Sequence, residues 1–159
     1  MAKADFKFQT QLRVRWGECD AQGIVFNGSY MGYLEEGQAA YFRNLGFSIY
    51  RIAQRGYFDS AVVRTVLEFK APARVDDILD LHVRVSHIGN TSLHLDIEVY
   101  PESSDRLTST LQAVYVGFHV ETETTRPVPS EIRELVDHFE ATGEVLPLER
   151  FPRLAEAAR

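Results

Sequence analysis

Along much of the chain, apolar and polar residues alternate with a period of two. Between residues 6 and 16, Phe6, Phe8, Leu12, Val14 and Trp16 share one parity, while Lys7, Gln9, Arg13 and Arg15 share the other. That pattern predicts a half-buried strand. From Ala61 onward the odd positions Val63, Leu67 and Phe69 are expected to face inward, with Arg64, Glu68 and Lys70 outward, until Pro72 ends or bends the strand. Asp76-Asp77 turns into residues 78–88, where Leu79, Leu81, Val83 and Val85 alternate with Asp80, His82, Arg84 and Ser86. Gly89-Asn90 is a hairpin signal. Beyond it Leu93, Leu95, Ile97 and Val99 alternate with Ser92, His94, Asp96 and Glu98. A loop at 101–106 leads into a last long strand, 107–121, with Val114, Val116, Phe118 and Val120 expected on one side. Long strands joined by short connections predict an antiparallel sheet with one face on a core.

The pattern changes in residues 16–44. A polar turn containing Asp20 is followed by the apolar run Ile24-Val25-Phe26 and then by a helix from near Asn27 to about Leu45. The helix carries Tyr30, Tyr33, Leu34, Tyr41 and Phe42 over a wide arc, and the small residues Gly32, Gly37, Ala39 and Ala40. Glycine weakens a helix but lets its backbone approach a neighbour, so this helix is expected to lie tightly against a supporting sheet. Gly46 fits its C-terminus. A short second helix is expected at 47–55, ended by Gly56, and a final one capped by Ser130 with Ile132, Leu135, Val136 and Phe139 on its apolar face. One early long helix and a run of antiparallel strands give an α+β architecture. A single domain over residues 1–142 is expected, with a tail, 143–159, that packs loosely or is mobile.

Composition narrows the class. The 159 residues include 45% hydrophobic and 25% charged, ordinary for a globular domain with a real core. The net charge of -6 argues against a nucleic-acid binder, though not against a local basic patch for a small anion. The lone cysteine, Cys19, excludes an internal disulfide and favours a cytoplasmic setting. The first ten residues hold no apolar signal core and no stretch approaches a membrane span, so no membrane association is expected. His82, His87, His94, His119 and His138 show no metal-ligand spacing, so neither a metal nor a cofactor is expected.

The stretch Trp16-Gly17-Glu18-Cys19-Asp20-Ala21-Gln22-Gly23-Ile24-Val25-Phe26-Asn27, followed by Tyr30 and Leu34-Glu35-Glu36, resembles the signature of hotdog-fold acyl-CoA thioesterases of the 4-hydroxybenzoyl-CoA thioesterase type. Phe69-Lys70-Ala71-Pro72 and Val75-Asp76-Asp77-Ile78-Leu79 match the family's strand-turn-strand pattern, and the resemblance covers roughly residues 8–135. It implies a hotdog fold: an antiparallel five- to six-stranded sheet wrapped around a long central helix. It also implies a homodimer or homotetramer, with active sites between subunits and an acyl-CoA as substrate. At the family's positions Asp20 is the catalytic carboxylate, and the main-chain N–H of Asn27, with Gly28 beside it, polarises the thioester carbonyl. Ser60 and Ser92 match positions that touch ligand in relatives, and with Phe26, Tyr30 and Arg64 they make the expected substrate-binding set. The family often carries Arg or Lys at the turn that is Gly89-Asn90-Thr91 here, and this chain has none.

The chemistry asked of these residues is plain. Thioester hydrolysis needs a carboxylate that attacks the acyl carbon or activates water, and donors for the oxygen as it becomes negative. Asp20 supplies the first in either role, and the free N–H groups opening a helix supply the second. Taken alone, Asp20 reads as a turn residue and Asn27 as a helix cap; the motif makes them catalytic. Glu35 or Glu36 is the substitute carboxylate if Asp20 is silent. Cys19 has no nearby histidine to activate it. Trp16, Phe26, Tyr30 and Tyr33 are candidates to line an acyl pocket, and Arg64, Lys70, Arg74, Arg84 and Arg126 to meet coenzyme A phosphates. The rivals are a hotdog hydratase or dehydratase, disfavoured because residues 16–44 hold no histidine, and a non-catalytic acyl-CoA-binding protein.

Overall fold

The computed structural model describes residues 3–159. The elements run β1 (Phe8–Arg13), α1 (Ser29–Asn44), α2 (Ile49–Gln54), β2 (Ser60–Phe69), β3 (Ile78–Ile88), β4 (Ser92–Pro101), β5 (Ser109–His119), β6 (Thr124–Thr125), α3 (Ser130–Thr142) and α4 (Pro152–Ala158). The strands form one antiparallel sheet in the order β1-β3-β4-β5-β2, with β6 paired to β5. The sheet curls around α1, which at 16 residues is about 24 Å long. This is the hotdog layout, and the α+β class is as expected.

The concave face is the core. Leu79, Leu81 and Val83 of β3, Leu95, Ile97 and Val99 of β4, and Leu111 and Ala113 of β5 are buried with Leu34, Tyr41 and Phe42 of α1. Gly37 is where helix and sheet meet: a Cβ there would lie 2.5 Å from Ile97 Cδ1. Gly32 differs from the expectation, since its Cα faces open space.

β5 turns a different face inward from the one expected, and β2 departs from it at Val63. On β5 the buried side is Leu111, Ala113 and Tyr115, whereas Val114, Val116 and Phe118 are half-buried on the outer face and Val120 is exposed. Both parities of β5 are apolar, so alternation along the strand does not distinguish them; the pairing with β4 does. On β2 a register shift between Val62 and Arg64 breaks the alternation and leaves Val63 exposed, while beyond the shift Leu67 packs on the core and Phe69 lies edge-on to Tyr30, the side expected. Trp16 likewise leaves the inward parity. β1 ends at Arg13, residues Trp16–Glu18 form a 3-10 turn, and the indole is 85% exposed.

The C-terminal segment is not loosely packed. Phe151, Leu154 and Ala157 belong to the buried core, and the Arg51 and Arg55 guanidiniums donate to the Arg159 main-chain oxygen at 2.8 and 2.9 Å. At the start of α3, Pro129 is the capping residue and Ser130 the first helical one, with no side-chain cap. The outer face of the sheet is partly covered too: Asp80, His82 and Glu98 are buried, with the Phe6 ring edge-on to His82.

Near the end of α3, Glu140 holds the helix to the sheet. Its Oε1 accepts from the Tyr41 hydroxyl at 2.6 Å and from the Val85 N–H at 2.8 Å. Burial pushes the Glu140 carboxyl above the ordinary carboxylate range, more than its donors and nearby Arg84 and Lys7 lower it. A carboxyl with a raised folded-state value binds its proton more readily folded than unfolded. Its contribution is therefore full below the ordinary carboxylate value and lost as pH rises through the folded value. Relative to Glu140→Gln, the wild type is expected to lose stability as pH is raised through that window. Urea unfolding of both proteins across acidic to neutral pH measures it, and a difference independent of pH contradicts it.

Candidate active site

The segment from Arg15 to Gly28 is a tight loop folded on itself. Cys19 and Val25 form an antiparallel bridge, the Asp20 N–H donates to the Ile24 oxygen at 2.9 Å, and the Phe26 N–H donates to the Glu18 oxygen at 2.9 Å. Gly23 turns the loop with φ of 75°, a conformation glycine adopts without steric cost. The Val25 N–H bonds to the Ala73 oxygen at 2.8 Å, and Ile24 bridges to Arg74, so the loop is also pinned to the β2–β3 connection. Asp20 is exposed. Its Oδ1 accepts from the Gln22 N–H at 2.8 Å, and its other oxygen has no protein partner among the described residues.

Four residues past Val25 the chain enters α1. The N–H groups of Ser29, Tyr30 and Met31 turn back to the oxygens of Phe26, Asn27 and Gly28. The N–H groups of Asn27 and Gly28 make no hydrogen bond among the described residues. Gly28 caps the helix without a side-chain bond, and both residues are exposed. The Phe26 ring, 52% exposed, lies against Gly28: a Cβ on residue 28 would sit 2.6 Å from Phe26 Cε1. Asp20, Phe26, Asn27 and Gly28 thus share one loop and one helix end.

The other expected residues lie apart from that cluster. Tyr30 is buried, edge-on to Tyr33 and Phe69 at centroid distances of 5.3 and 5.2 Å. Ser60 lines a cavity of about 560 Å³ between α1, α2 and the sheet, walled by Phe42, Phe47, Ile52, Phe58 and Tyr115. Arg64 is exposed on β2, and Ser92 opens β4 with its carbonyl accepting from the Gly89 N–H at 2.8 Å. Glu35 also lines the cavity and accepts from the Tyr115 hydroxyl at 3.4 Å, while Glu36 pairs with Arg43 at 2.6 Å on the surface.

Among the basic candidates, Lys70 pairs with Glu68, Arg84 with Asp96, and Arg126 donates to the Tyr57 oxygen at 2.7 Å. The Arg64 and Arg74 guanidiniums have no hydrogen-bond or ion-pair partner among the described residues. Burial, then the neighbouring Asp20, Glu18 and Asp77 carboxylates, pushes the Cys19 thiol up, which holds it protonated and a poor nucleophile.

Two features escaped the sequence reading. Gln38 is only 4% exposed on the core side of α1 and lines the cavity. Its signal was available, as a polar residue on the apolar arc four positions past Leu34. Glu18 was passed over as part of the motif, yet it makes the bonds that hold the loop to the helix.

A curled antiparallel sheet around one long helix, with an exposed carboxylate in the loop that opens the helix, defines a hotdog-fold enzyme. The chain belongs to the thioesterase superfamily, whose model matches residues 22–108, more than half its length, and it is a thioester hydrolase. It is 28% identical over 95 residues to a putative esterase of Aquifex aeolicus, covering 60% of this chain and 73% of that protein. It is 32% identical over 87 residues to the acyl-CoA thioester hydrolase YbgC of Escherichia coli, covering 54% of this chain and 63% of the relative. The fold is similar to that of 4-hydroxybenzoyl CoA thioesterase from Pseudomonas sp. strain CBS-3, with a TM-score of 0.70 at 22% identity over 80% of this chain and 96% of that one. Among the described residues no helix is long and apolar enough to cross a membrane.

Proposed function

We propose that this chain hydrolyses acyl-CoA thioesters to the free acid and coenzyme A. The observation that carries this reading is the pair of unpartnered N–H groups on Asn27 and Gly28, opening α1 beside the loop that bears Asp20. A thioester carbonyl set over those amides has its developing negative charge met by two donors and by the positive end of the helix dipole. Asp20 then attacks the acyl carbon, breaking the C–S bond and releasing the coenzyme A thiolate to take a proton from solvent, and water opens the resulting anhydride. In the other route Asp20 takes a proton from a water that attacks the acyl carbon and expels the same thiolate; both routes use the same placement of the carbonyl.

The cavity lined by Ser60 has the size and apolar character of an acyl site. Phe26, lying against Gly28 at the helix end, flanks the reacting carbonyl, and Tyr30 follows on the first turn of α1. Among the basic candidates, Arg74, bridged to the Asp20 loop, and Arg64 have no side-chain partner among the described residues and are the ones to meet coenzyme A phosphates, with Ser92 contributing from the β3–β4 turn. β2 is an edge strand with exposed Val62, Val63 and Phe69, which supports pairing with a second copy into a homodimer, and onward to a homotetramer.

Free-thiol release from a panel of short, long, branched and aromatic acyl-CoAs tests the reading. Turnover of at least one class is expected. No release from any, with folded protein and detectable acyl-CoA binding, returns the chain to the binding-protein alternative.

A further inference from the structure

We propose that Glu18 is the positioning residue of this site: it fixes Asp20 against the N-terminal amides of α1. The inference rests on the reading of Asp20 as the catalytic carboxylate. Glu18 makes six hydrogen bonds through three oxygens. Its main-chain oxygen accepts from the Phe26 N–H and from the Ser29 hydroxyl, each at 2.9 Å. Its Oε1 accepts from the Tyr33 hydroxyl at 3.0 Å and the Arg15 N–H at 2.8 Å. Its Oε2 accepts from Arg15 Nε at 3.1 Å and Nη2 at 2.6 Å.

The placement of these partners is what matters. Ser29 and Tyr33 lie on the first and second turns of α1, Phe26 immediately precedes the two free amides, and Arg15 ends the approach from β1. Asp20 follows Glu18 by two residues. The other bonds of residues 19–25 run within the loop or to Ala73 and Arg74. Among the described residues, every hydrogen bond from the Asp20-bearing side of the loop to the α1 helix is made by Glu18. Loss of the carboxylate leaves the main-chain bond to Ser29 as a single pivot and removes the tie to Tyr33, so the loop can rock about that pivot against the helix, and displacing a reacting group by about 1 Å costs on the order of 100-fold in rate.

Tyr33 is an apt anchor. Its ring is buried, and Glu18 is the acceptor of its hydroxyl. Burial first, then the Glu18 carboxylate, pushes its phenol far up, so it stays a donor at neutral pH. A charged acceptor makes the bond stronger than one between neutral groups.

The test compares Glu18→Ala, Glu18→Gln, Tyr33→Phe, Glu18→Ala/Tyr33→Phe and Asp20→Asn on the best acyl-CoA of the wild type. Glu18→Ala is expected to lower kcat by about 30-fold with KM changed less than about threefold, and Tyr33→Phe to lower kcat by about tenfold. The double variant is expected to be no slower than Glu18→Ala, because both remove one interaction. Glu18→Gln, which keeps the length and an acceptor for Tyr33, is expected to recover most of the loss. A purely structural role would lower Tm without this kcat pattern or rescue. Should Glu18→Ala fail to fold, Tyr33→Phe, which removes a single oxygen, carries the test. Inactive Asp20→Asn beside Tyr33→Phe and folded Glu18 variants within twofold of wild-type kcat overturns the positioning role alone. An active Asp20→Asn overturns the reading beneath it, and this inference falls with that reading.

Discussion

Asp20→Asn is expected to lower kcat on acyl-CoA substrates by at least about 100-fold while KM changes little. The amide is close to isosteric and can still accept the Gln22 N–H, so the loop turn is retained. What it lacks is a negative charge able to attack an acyl carbon or to take a proton from water. Asp20 is exposed and outside the core, so the variant should keep wild-type stability, which circular dichroism and thermal unfolding would check. A rate within about threefold of wild type would move the chemistry elsewhere, with Glu35 at the cavity the next carboxylate to examine.

The second large effect concerns the C-terminus. Ending the chain at Pro147 is expected to cost at least about 3 kcal/mol of stability, since it strips two large apolar side chains, Phe151 and Leu154, from the core. Leu154 is fully buried, and Leu154→Ala alone is expected to cost about 2–5 kcal/mol. The truncation also removes the Arg159 oxygen that anchors Arg51 and Arg55 of the α2 region. Because α2 forms one wall of the acyl-sized cavity, the shortened protein should lose activity before it loses its sheet. Urea unfolding monitored by far-UV circular dichroism, with thiol release alongside, reads both effects. A loss below about 1 kcal/mol would mean that α4 contributes little beyond its covering of α2.

The distance between expectation and structure has a consistent physical origin. β3 and β4 were read correctly because their outward positions are polar, Asp80 to Ser86 on one and Ser92 to Glu98 on the other, so the apolar face takes the core even where Asp80, His82 and Glu98 are themselves covered. The same reading failed on β5, where both faces are apolar, and at Val63 of β2, where the register shift puts the residues before it on the opposite parity to Leu67 and Phe69. The tail looked peripheral because Pro147 and Pro152 punctuate it, yet proline at the first position of α4 starts that helix rather than breaking it.

By itself, then, the sequence determined the elements, the antiparallel sheet, the α+β class and the family signature around Asp20, because these are written in local periodicity and in short-range motifs. Only the tertiary structure decided which side of β5 meets the core, that Val63 of β2 faces out, that Trp16 stands in solvent, that α4 closes the core, and that Glu18 ties the loop to Ser29 and Tyr33. Those outcomes depend on partners far apart along the chain, and spacing along a strand or helix carries no record of a partner that arrives from another element.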